Sequence, residues 1–262
     1  KELMMHLIIC QLHFYKSLVF SFQLLSPSRK FYPLTKGNSN DPSKPSAGTT
    51  VKIKVNRPEF IFSTIVTPNL WVNDNGHLTF DYPWSSYSSQ QFPLYGTRDV
   101  IAPFWTDLDN RGNGDIYYVQ YTSGSLLQRV TQDINTYFPA LNFQANWIFI
   151  ATWHEVAYYP TSGTVKQTTF QAVLTTNGQY SFVLMNYGSI ASTSRSVQLC
   201  TFNFQAGYDT INSPHHFTIP GSLSSQATGP NSVFRLGSNV NVPGRWAFRV
   251  DHGSIGCNFS GK

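Results

Sequence analysis

The densest cluster of candidate ligands is the loop DLDNRGNGD, residues 107–115, which follows a strongly apolar segment. Clustered carboxylates could bind a hard cation such as Ca²⁺, and the candidate ligands are Asp107, Asp109 and Asp115. The alternative is a tight turn in which Asp and Asn side chains bond to their own backbone. An EF-hand loop is excluded, because Arg111 and Tyr118 stand where that loop needs oxygen ligands. We predict a turn without strong calcium dependence.

The histidines give no catalytic or metal site by their spacing. His154-Glu155 lies in a strand-like segment and has no second His at helical spacing, which excludes a zinc protease motif. His215 and His216 are adjacent, and adjacent residues on a strand point to opposite faces of the sheet. No G-x-S-x-G, phosphate-binding glycine loop or local Cys–His pair is present. We therefore predict a protein that is not an enzyme and that has no catalytic residue.

The six tryptophans could either fill a core or line a sugar-binding surface. They are Trp71, Trp84, Trp105, Trp147, Trp153 and Trp246. Most of them stand within apolar runs, which favours the core for the majority. Exposed aromatics that bind a glycan remain the alternative.

The elements that must position these residues are mainly strands. Charged residues are only 12% of the chain and aromatics 15%, which is typical of an extracellular sheet protein. Asp74-Asn75-Gly76 and Asn177-Gly178 each separate two apolar runs, as in β-hairpins. The segment 146–153 is apolar on both faces, which indicates a central strand.

Two further segments complete the predicted architecture. In GRWAFRVD, Trp246, Phe248 and Val250 alternate with the opposite face, which is Arg245, Ala247, Arg249 and Asp251. Pro243-Gly244 supplies the bend before that strand. In SLLQRVTQDINTYF, the residues at helical spacing are Leu126, Val130, Ile134 and Tyr137/Phe138. The sequence predicts a mostly β protein, an antiparallel β-sandwich with one amphipathic helix packed on it.

The net charge of +5 does not indicate nucleic acid. Residues 1–58 hold nine Lys/Arg against two acidic residues, whereas residues 59–262 hold nine basic against eleven acidic residues. The apolar segment 3–25 is interrupted by polar residues and fits neither a membrane span nor a signal peptide. It is either a degraded leader or misassigned sequence. We predict that residues 1–48 are poorly structured and that the globular part has no membrane span.

An ordered set of motifs in the chain resembles the NIDO domain, an extracellular module of nidogen-, mucin- and tectorin-type proteins. The motifs are VIAPFWTDLDNRGNGDIYYVQY, NWIFIATWHEVAYY, TTFQAVLTTNGQYSFVLMNYG, QAGYD, FTIPGS and SNVNVPGRWAFRVD. They cover residues 98–252, and their structural positions include Trp105, Trp153, Gly244, Trp246 and Phe248. The segment before them resembles the one that precedes this domain in tectorin-like proteins.

The resemblance implies a non-catalytic, secreted or cell-surface module for cell–matrix adhesion or matrix assembly. Its partners would be extracellular matrix or cell-surface proteins rather than nucleic acid. Residues 49–97 would be the first strands of the same globular unit, and 253–262 the stub of a following cysteine-rich module. Asn258 in Asn-Phe-Ser is a candidate glycosylation site.

One insertion departs from the family pattern. The segment LCTFNFQ, residues 199–205, lengthens a loop that is short in relatives, and its codons permit a splice-acceptor pattern. We interpret residues 199–205, and also 1–23, as candidate translated intron. Cys10 and Cys200 would then be artefacts, and Cys257 would pair within the following module.

Overall fold

The structure is a computed structural model that describes residues 30–34, 50–54, 60–62, 65–66, 69–160, 167–193 and 203–251. The chain divides into two units, Lys1–Phe31 and Tyr32–Lys262. All of the strands belong to the second unit. The three cysteines, Asn258 and the segment 253–262 lie outside the described residues.

Fourteen strands and two α-helices are defined within the described ranges. The strands are β1 (Thr50–Lys54), β2 (Ile61–Phe62), β3 (Ile65–Val66), β4 (Asn69–Asn73), β5 (His77–Thr79), β6 (Val100–Trp105), β7 (Leu108–Asp109), β8 (Asp115–Tyr121), β9 (Trp147–Tyr158), β10 (Thr168–Thr176), β11 (Ser181–Tyr187), β12 (Gln205–Asp209), β13 (His216–Thr218) and β14 (Arg245–Arg249). The helices are α1 (Ser125–Tyr137) and α2 (Val233–Leu236), with 3-10 turns at Pro139–Leu141 and Ser225–Ala227.

The strands form two antiparallel sheets, as the sequence predicts. The first sheet has the order β1-β4-β5-β6-β12-β13. The second has the order β14-β11-β10-β9, and β7 and β8 pair with successive parts of β9. The strands β2 and β3 form a separate two-stranded sheet. The strands β1, β4 and β5, which precede residue 98, thus lie in the same sheet as β6.

The core between the sheets is strongly aromatic. The Trp153 and Phe170 rings stack with centroids 4.9 Å apart, and the Phe104 ring lies 5.3 Å from that of Phe170. The Tyr187 hydroxyl donates to the Pro103 carbonyl oxygen at 2.6 Å, so a buried hydrogen bond also joins the two sheets. This packing explains the aromatic-rich composition, since aromatic pairs contribute geometry as well as buried area.

The second sheet is buried on both faces, because α1 covers its outer side. The buried residues of α1 are Leu127, Val130 and Ile134, and they pack with Ile148 and Phe182 of the sheet. The predicted helix is therefore present over 125–137. Leu126 is only partly buried, however, and the adjacent Leu127 makes the deeper contact.

The face of β14 opposite Trp246 and Phe248 is also buried. Arg245 and Ala247 on that face are 2% and 0% exposed. The Arg245 guanidinium lies under α1, where it donates to Asp133 Oδ2 at 2.9 Å and to the Tyr137 hydroxyl at 2.8 Å. An arginine is tolerated at this depth because its charge is paired and hydrogen-bonded. Trp246 and Phe248 face the inter-sheet core and are each 2% exposed.

Tyr32, within the segment 1–48 that the sequence predicts to be poorly structured, lies in the core. It is 1% exposed, and its hydroxyl donates to Asp133 Oδ2 at 2.6 Å. The Gln171 side chain accepts from the Tyr32 amide at 3.0 Å and donates to the Tyr32 carbonyl at 3.1 Å. The Arg129 guanidinium lies 4.2 Å from the centre of its ring. One residue of the segment 1–48 is thus fixed to the sandwich.

The end of the segment interpreted as intron is also part of the fold. Phe204 is 4% exposed, and its ring lies 5.5 Å from Phe104 and 5.4 Å from Tyr158. Gln205 begins β12 and pairs with Trp105. Phe204 and Gln205 therefore behave as genuine core sequence, which argues against the intron interpretation at these positions. Residues 194–202 lie outside the described residues.

Candidate functional site

The acidic loop, residues 107–115, runs through β7 to the first residue of β8. Within it, Arg111 forms a salt bridge with Asp109. Arg111 Nε and Nη2 donate to Asp109 Oδ1 and Oδ2 at 2.9 and 2.7 Å. These hydrogen bonds lower the pKa of Asp109 below its ordinary value. Arg111 is thus a counter-ion to a predicted calcium ligand, and a dication at Asp109 would have to displace it.

The other two calcium candidates have different surroundings. Burial raises the pKa of Asp107 to about 6, with the charge of Asp109 adding to the effect. Asp115 Oδ2 accepts from the Tyr117 hydroxyl at 2.9 Å. Among the residues that the structure describes, no group of three His, Cys, Asp or Glu side chains is arranged to hold a metal. The turn and the calcium option remain predictions.

Asn75, which the sequence marks only as a turn residue, holds this loop in place. Its Oδ1 accepts from the Leu108 amide at 2.9 Å, and its backbone oxygen accepts from the Thr106 amide at 3.2 Å. The following Gly76 has φ of 81°, and a Cβ there would lie 2.0 Å from the Phe104 carbonyl oxygen. The hairpin turn is therefore buried against β6, and only glycine fits at Gly76.

His77 is a second residue that the motifs do not single out. It is fully buried, its Nε2 lies 2.8 Å from the Trp84 carbonyl oxygen, and its ring centroid is 5.0 Å from that of Trp105. Burial lowers the pKa of His77 to about 4, so the ring is neutral at physiological pH. The apolar run that follows Gly76 was the only sequence signal for this burial.

Residues 81–97, here called the tyrosine loop, cover the outer face of the first sheet. Their inner side chains include Phe92, which is 2% exposed and packs in a cluster with Val100, Ala102 and Trp105. Trp84 is partly buried against the same cluster. The tyrosine loop thus extends the core beyond the two-layer sandwich that the sequence predicts.

Hydrogen bonds fix the tyrosine loop along its length. At its start, the Trp84 amide donates to Asn73 Oδ1 at 2.9 Å. In its middle, the Ser86 carbonyl accepts from Trp105 Nε1 at 2.8 Å. Near its end, the Leu94 amide donates to Asp209 Oδ2 at 2.6 Å. These partners lie on β4, β6 and β12, so the loop is attached across the sheet.

Three outward side chains of the tyrosine loop are large and aromatic. Tyr82, Tyr87 and Tyr95 are 66%, 64% and 75% exposed. The other strongly exposed large hydrophobic side chains in the described ranges are Leu34, Tyr159 and Leu236. No Asp, Glu, Lys or Arg occurs between Asp81 and Arg98. Between Tyr82 and Thr97 the loop therefore exposes three aromatic rings and no charged side chain, while the Arg98 guanidinium lies 5.0 Å from the Trp84 ring centroid.

Strained backbone concentrates where the tyrosine loop meets the β12–β13 hairpin. Tyr95, Asn212 and Ser213 have φ of 51°, 58° and 56°. The Tyr95 amide donates to Ser213 Oγ at 2.8 Å, and the Asn212 amide donates to the Gly96 carbonyl at 2.7 Å. A bulky residue at positive φ is uncommon, and such conformations persist only where the surroundings enforce them.

Two buried carboxylates support the same junction. Asp99 Oδ1 accepts from the Ile211 amide at 2.9 Å, and Asp209 Oδ2 accepts from Ser213 Oγ at 3.0 Å. Burial raises the pKa of Asp99 to about 6 and also raises the pKa of Asp209. These acids bind backbone and hydroxyl groups of the hairpin, so their arrangement is structural.

The other residues that the sequence analysis singles out do not lie together at one site. His154 is partly buried and Glu155 is exposed at a positive φ of 55°, on β9. His215 is partly buried and His216 is exposed, and His216 Nδ1 lies 3.0 Å from the Ser213 oxygen. Gly244 has φ of 75° in the turn before β14. Four tryptophans, Trp105, Trp147, Trp153 and Trp246, are buried, whereas Trp71 and Trp84 are partly buried.

Comparison with protein families identifies the class to which this fold belongs. The model of the nidogen-like domain, NIDO, matches residues 68–252, and the chain belongs to this family. The match begins earlier than the boundary at residue 98 that the motifs suggested, and it includes β4, β5 and the tyrosine loop. It ends at residue 252.

Among individual proteins, the chain is similar to alpha-tectorin of Mus musculus. The two are 36% identical over 248 residues, which is 90% of this chain and 11% of alpha-tectorin. Nidogen of Drosophila melanogaster is 29% identical over 69% of this chain and 14% of its own length. Mucin-4 of Homo sapiens is 30% identical over 57% of this chain and 3% of its own length. The chain thus spans a small part of each relative.

These relationships make the chain an extracellular matrix module, and its location is extracellular. No solved structure matches it. In the described part of the chain, every helix is too short or too polar to cross a membrane.

Proposed function

We propose that this domain is a non-catalytic module that acts in cell–matrix adhesion or matrix assembly by binding other extracellular proteins. The observation that supports the proposal most directly is the set of three exposed tyrosines in the tyrosine loop, Tyr82, Tyr87 and Tyr95. Tyrosine is enriched at protein interfaces because it offers a large, amphipathic contact area at low conformational cost. Matrix or cell-surface proteins are the partners that the family relationship suggests.

The distribution of titratable groups also favours binding over catalysis. Asp99 and Asp209 hold the β12–β13 hairpin, and Asp109 is paired with Arg111. His77 is neutral, buried and bonded to backbone. A catalytic site needs such groups to converge where a substrate can reach them. Here they stabilise loops, while the exposed large side chains are suited to contact.

Binding of the purified chain to a panel of extracellular matrix proteins on a biosensor surface tests the proposal. We expect specific, saturable binding to at least one matrix protein, and none by chain unfolded beforehand. Absence of binding across the panel and across cell-surface ectodomains would contradict the proposed function.

A glycan-binding module is the second candidate, and the exposed tyrosines are the observation that favours it. The four fully buried tryptophans cannot contribute to such a surface, so Tyr82, Tyr87 and Tyr95 would have to stack on sugar rings. A glycan array with the folded chain separates the two functions. Strong binding to one sugar class, without protein binding, favours the second candidate.

A further inference from the structure

We propose that the tip of the acidic loop is a latent cell-adhesion site, which deamidation of Asn113 converts into Arg-Gly-Asp. Arg111 and Gly112 already supply the first two residues of that tripeptide, and hydrolysis of the Asn113 amide supplies the third. The ligand class is a receptor that binds a guanidinium and a carboxylate one glycine apart, as integrins do. The proposal rests on the proposed function, because it names an adhesion receptor as one partner of the domain.

The modification follows from the Asn113-Gly114 pair, since asparagine deamidates most readily before glycine. The Gly114 amide nitrogen attacks the side-chain carbonyl carbon of Asn113, the bond from that carbon to Nδ2 breaks, and ammonia leaves with the Gly114 amide proton. Water then opens the succinimide ring and leaves aspartate or isoaspartate at position 113. The fold itself requires the glycine, because Gly114 has φ of 80° and a Cβ there would clash with the Glu155 carbonyl oxygen.

The structure distinguishes this pair from the other two Asn-Gly pairs in the chain. Asn75 is 4% exposed, and its Oδ1 accepts from a backbone amide at 2.9 Å. Asn177 Oδ1 accepts from two backbone amides at 3.0 and 2.7 Å. Asn113 is only partly buried, and none of the described residues donates a hydrogen bond to its Oδ1. Its side-chain carbonyl is therefore the least restrained of the three.

The hydrogen bond of the Asn113 side chain explains why the product would be exposed. Asn113 Nδ2 donates to the Glu155 carbonyl oxygen at 3.1 Å. A carboxylate has only acceptor oxygens, so after deamidation two acceptors would face each other. Their repulsion favours rotation of the new carboxylate away from β9 and into solvent. Arg111 and Gly112, the residues that complete the tripeptide, are already exposed.

Arg111 is accessible to a receptor although it is paired with Asp109. Its side chain is 60% exposed, and the two groups form an exposed ion pair. Exposed ion pairs contribute little free energy, so a receptor carboxylate can replace Asp109 as the partner of the guanidinium. A divalent cation held by the receptor would bind the new carboxylate, because hard cations prefer oxygen ligands.

Peptide mapping by mass spectrometry tests the modification, with the full chain incubated at physiological pH and body temperature. We expect Asn113 to deamidate about tenfold faster than Asn177, whose side chain must first break two hydrogen bonds. Asn113→Gln is the matched variant, since glutamine keeps the amide but cyclises far more slowly. An Asn113 that stays intact, or that reacts no faster than Asn177, overturns the proposal.

Binding to the soluble ectodomain of the vitronectin-receptor integrin, in Mn²⁺, tests the ligand class. We expect both Asn113→Asp and the incubated wild type to bind at least about tenfold more tightly than fresh wild type. A soluble Arg-Gly-Asp peptide should block both. If neither the variant nor the incubated chain binds more tightly than fresh wild type, the proposal is wrong.

Two control variants separate the tripeptide from its charge. Asn177→Asp adds the same charge at another Asn-Gly pair, and Gly112→Ala/Asn113→Asp keeps both charges of the tripeptide but adds a Cβ between them. Neither should bind the integrin, and binding equal to that of Asn113→Asp by either control contradicts the proposal.

Failure of this proposal can be distinguished from failure of the proposed function. Fresh Asn113→Gln chain should bind the matrix panel as wild type does, because it lacks only the latent site. Retained panel binding without integrin binding therefore removes the deamidation site alone, whereas absence of binding across the panel contradicts the proposed function.

Discussion

At the scale of single residues, Arg111 determines the electrostatics of the acidic loop. Its guanidinium contacts both oxygens of Asp109, while the partly buried Asp107 next to this pair has a raised pKa. A calcium ion in this loop would therefore meet a positive charge already in contact with one of the carboxylates. Three carboxylates in nine residues do not, by themselves, make a site for a dication.

The first prediction concerns calcium. We expect thermal unfolding midpoints in millimolar calcium and in excess chelator to agree within a few degrees, because Arg111 competes with the ion at Asp109. Differential scanning fluorimetry measures both. Arg111→Gln serves as the matched variant, since it removes the competing charge. A large drop in chelator that disappears in Asp109→Asn would show that calcium does stabilise the loop.

The second prediction concerns pH and Asp99. Burial raises the pKa of Asp99 to about 6, whereas an unfolded aspartate titrates near 3.9. The folded state therefore favours the protonated form, and the stability from this group is present below about pH 4 and is lost as pH rises through 6. Asp99→Asn should abolish that loss, a change of about 1–3 kcal/mol between pH 4 and 7.

Chemical denaturation of wild type and Asp99→Asn at several pH values measures the effect. Asp109→Asn is the control, because the pH dependence of stability that it removes has the opposite sign. The pKa of Asp109 is lowered, so its contribution to folding stability is lost as pH falls. Parallel stability curves for wild type and Asp99→Asn would mean that Asp99 does not resist ionisation in the folded protein.

At the scale of elements, β14 contributes side chains to two cores, one between the sheets and one between the second sheet and α1. Trp246 packs toward the first sheet, and its Nε1 donates to the Phe234 carbonyl at 3.2 Å. Arg245 points toward α1 and pairs with Asp133 at 2.9 Å. On the exposed edge of the strand, the Asn239 side chain bonds to both the amide and the carbonyl of Ala247. These hydrogen bonds occupy backbone groups of Ala247 that could otherwise pair with another strand.

The third prediction compares side chains of β14. Trp246→Ala should lower the free energy of unfolding by about 3–5 kcal/mol through lost contacts and a cavity. Arg245→Ala should cost a similar 3–5 kcal/mol, because it leaves Asp133 without its buried counter-charge. Arg249→Ala should cost less, about 1–2 kcal/mol, since Arg249 is partly exposed but holds the buried Asp251.

Secretion from cells and urea unfolding of the three variants are measured together. The stability that Trp246→Ala and Arg245→Ala are each expected to lose approaches the total free energy of unfolding of a marginally stable domain. We therefore expect reduced secretion for both variants. A fully stable Arg245→Ala chain would contradict the buried position of this side chain. A greater loss in Arg249→Ala than in Trp246→Ala would contradict the register of the strand.

At the scale of the whole molecule, Tyr32 joins the start of the described chain to the helix and the second sheet. It contacts Gln171 of β10 and Asp133 of α1, and Arg129 stacks on its ring. These partners meet only after the sandwich and α1 have assembled. Tyr32 therefore stabilises the packing of α1 on the sheet, and the family-defined region is not sufficient for the complete set of core contacts.

The fourth prediction is that Tyr32→Ala in the full chain lowers the free energy of unfolding by about 3–5 kcal/mol, the usual cost of truncating a large buried aromatic. Tyr32→Phe is the matched control, which removes only the hydrogen bond to Asp133 and should cost about 1–2 kcal/mol. Guanidinium unfolding followed by tryptophan fluorescence measures both. A Tyr32→Ala chain as stable as wild type would restore the expectation that residues 1–48 are dispensable.

The sequence by itself determined the features that depend on neighbouring residues. The Asn-Gly turns at 75–76 and 177–178, the helix at 125–137, and the inward alternation of Trp246 and Phe248 were all predicted and are all present. Turn dihedrals and hydrophobic periodicity can be read within a short window, because they reflect local steric preference and one buried face. The sandwich class follows from the number and patterning of such segments.

Only the tertiary structure decided what covers each face. The charge of Arg245 can be buried because Asp133, 112 positions away, accepts its hydrogen bond, and Tyr32 is fixed because Gln171, 139 positions away, binds its backbone. The turn at Asn75 is buried because β6 and the acidic loop close over it. A buried polar group needs a partner, and that partner can come from anywhere in the chain, so its burial cannot be read from a local pattern.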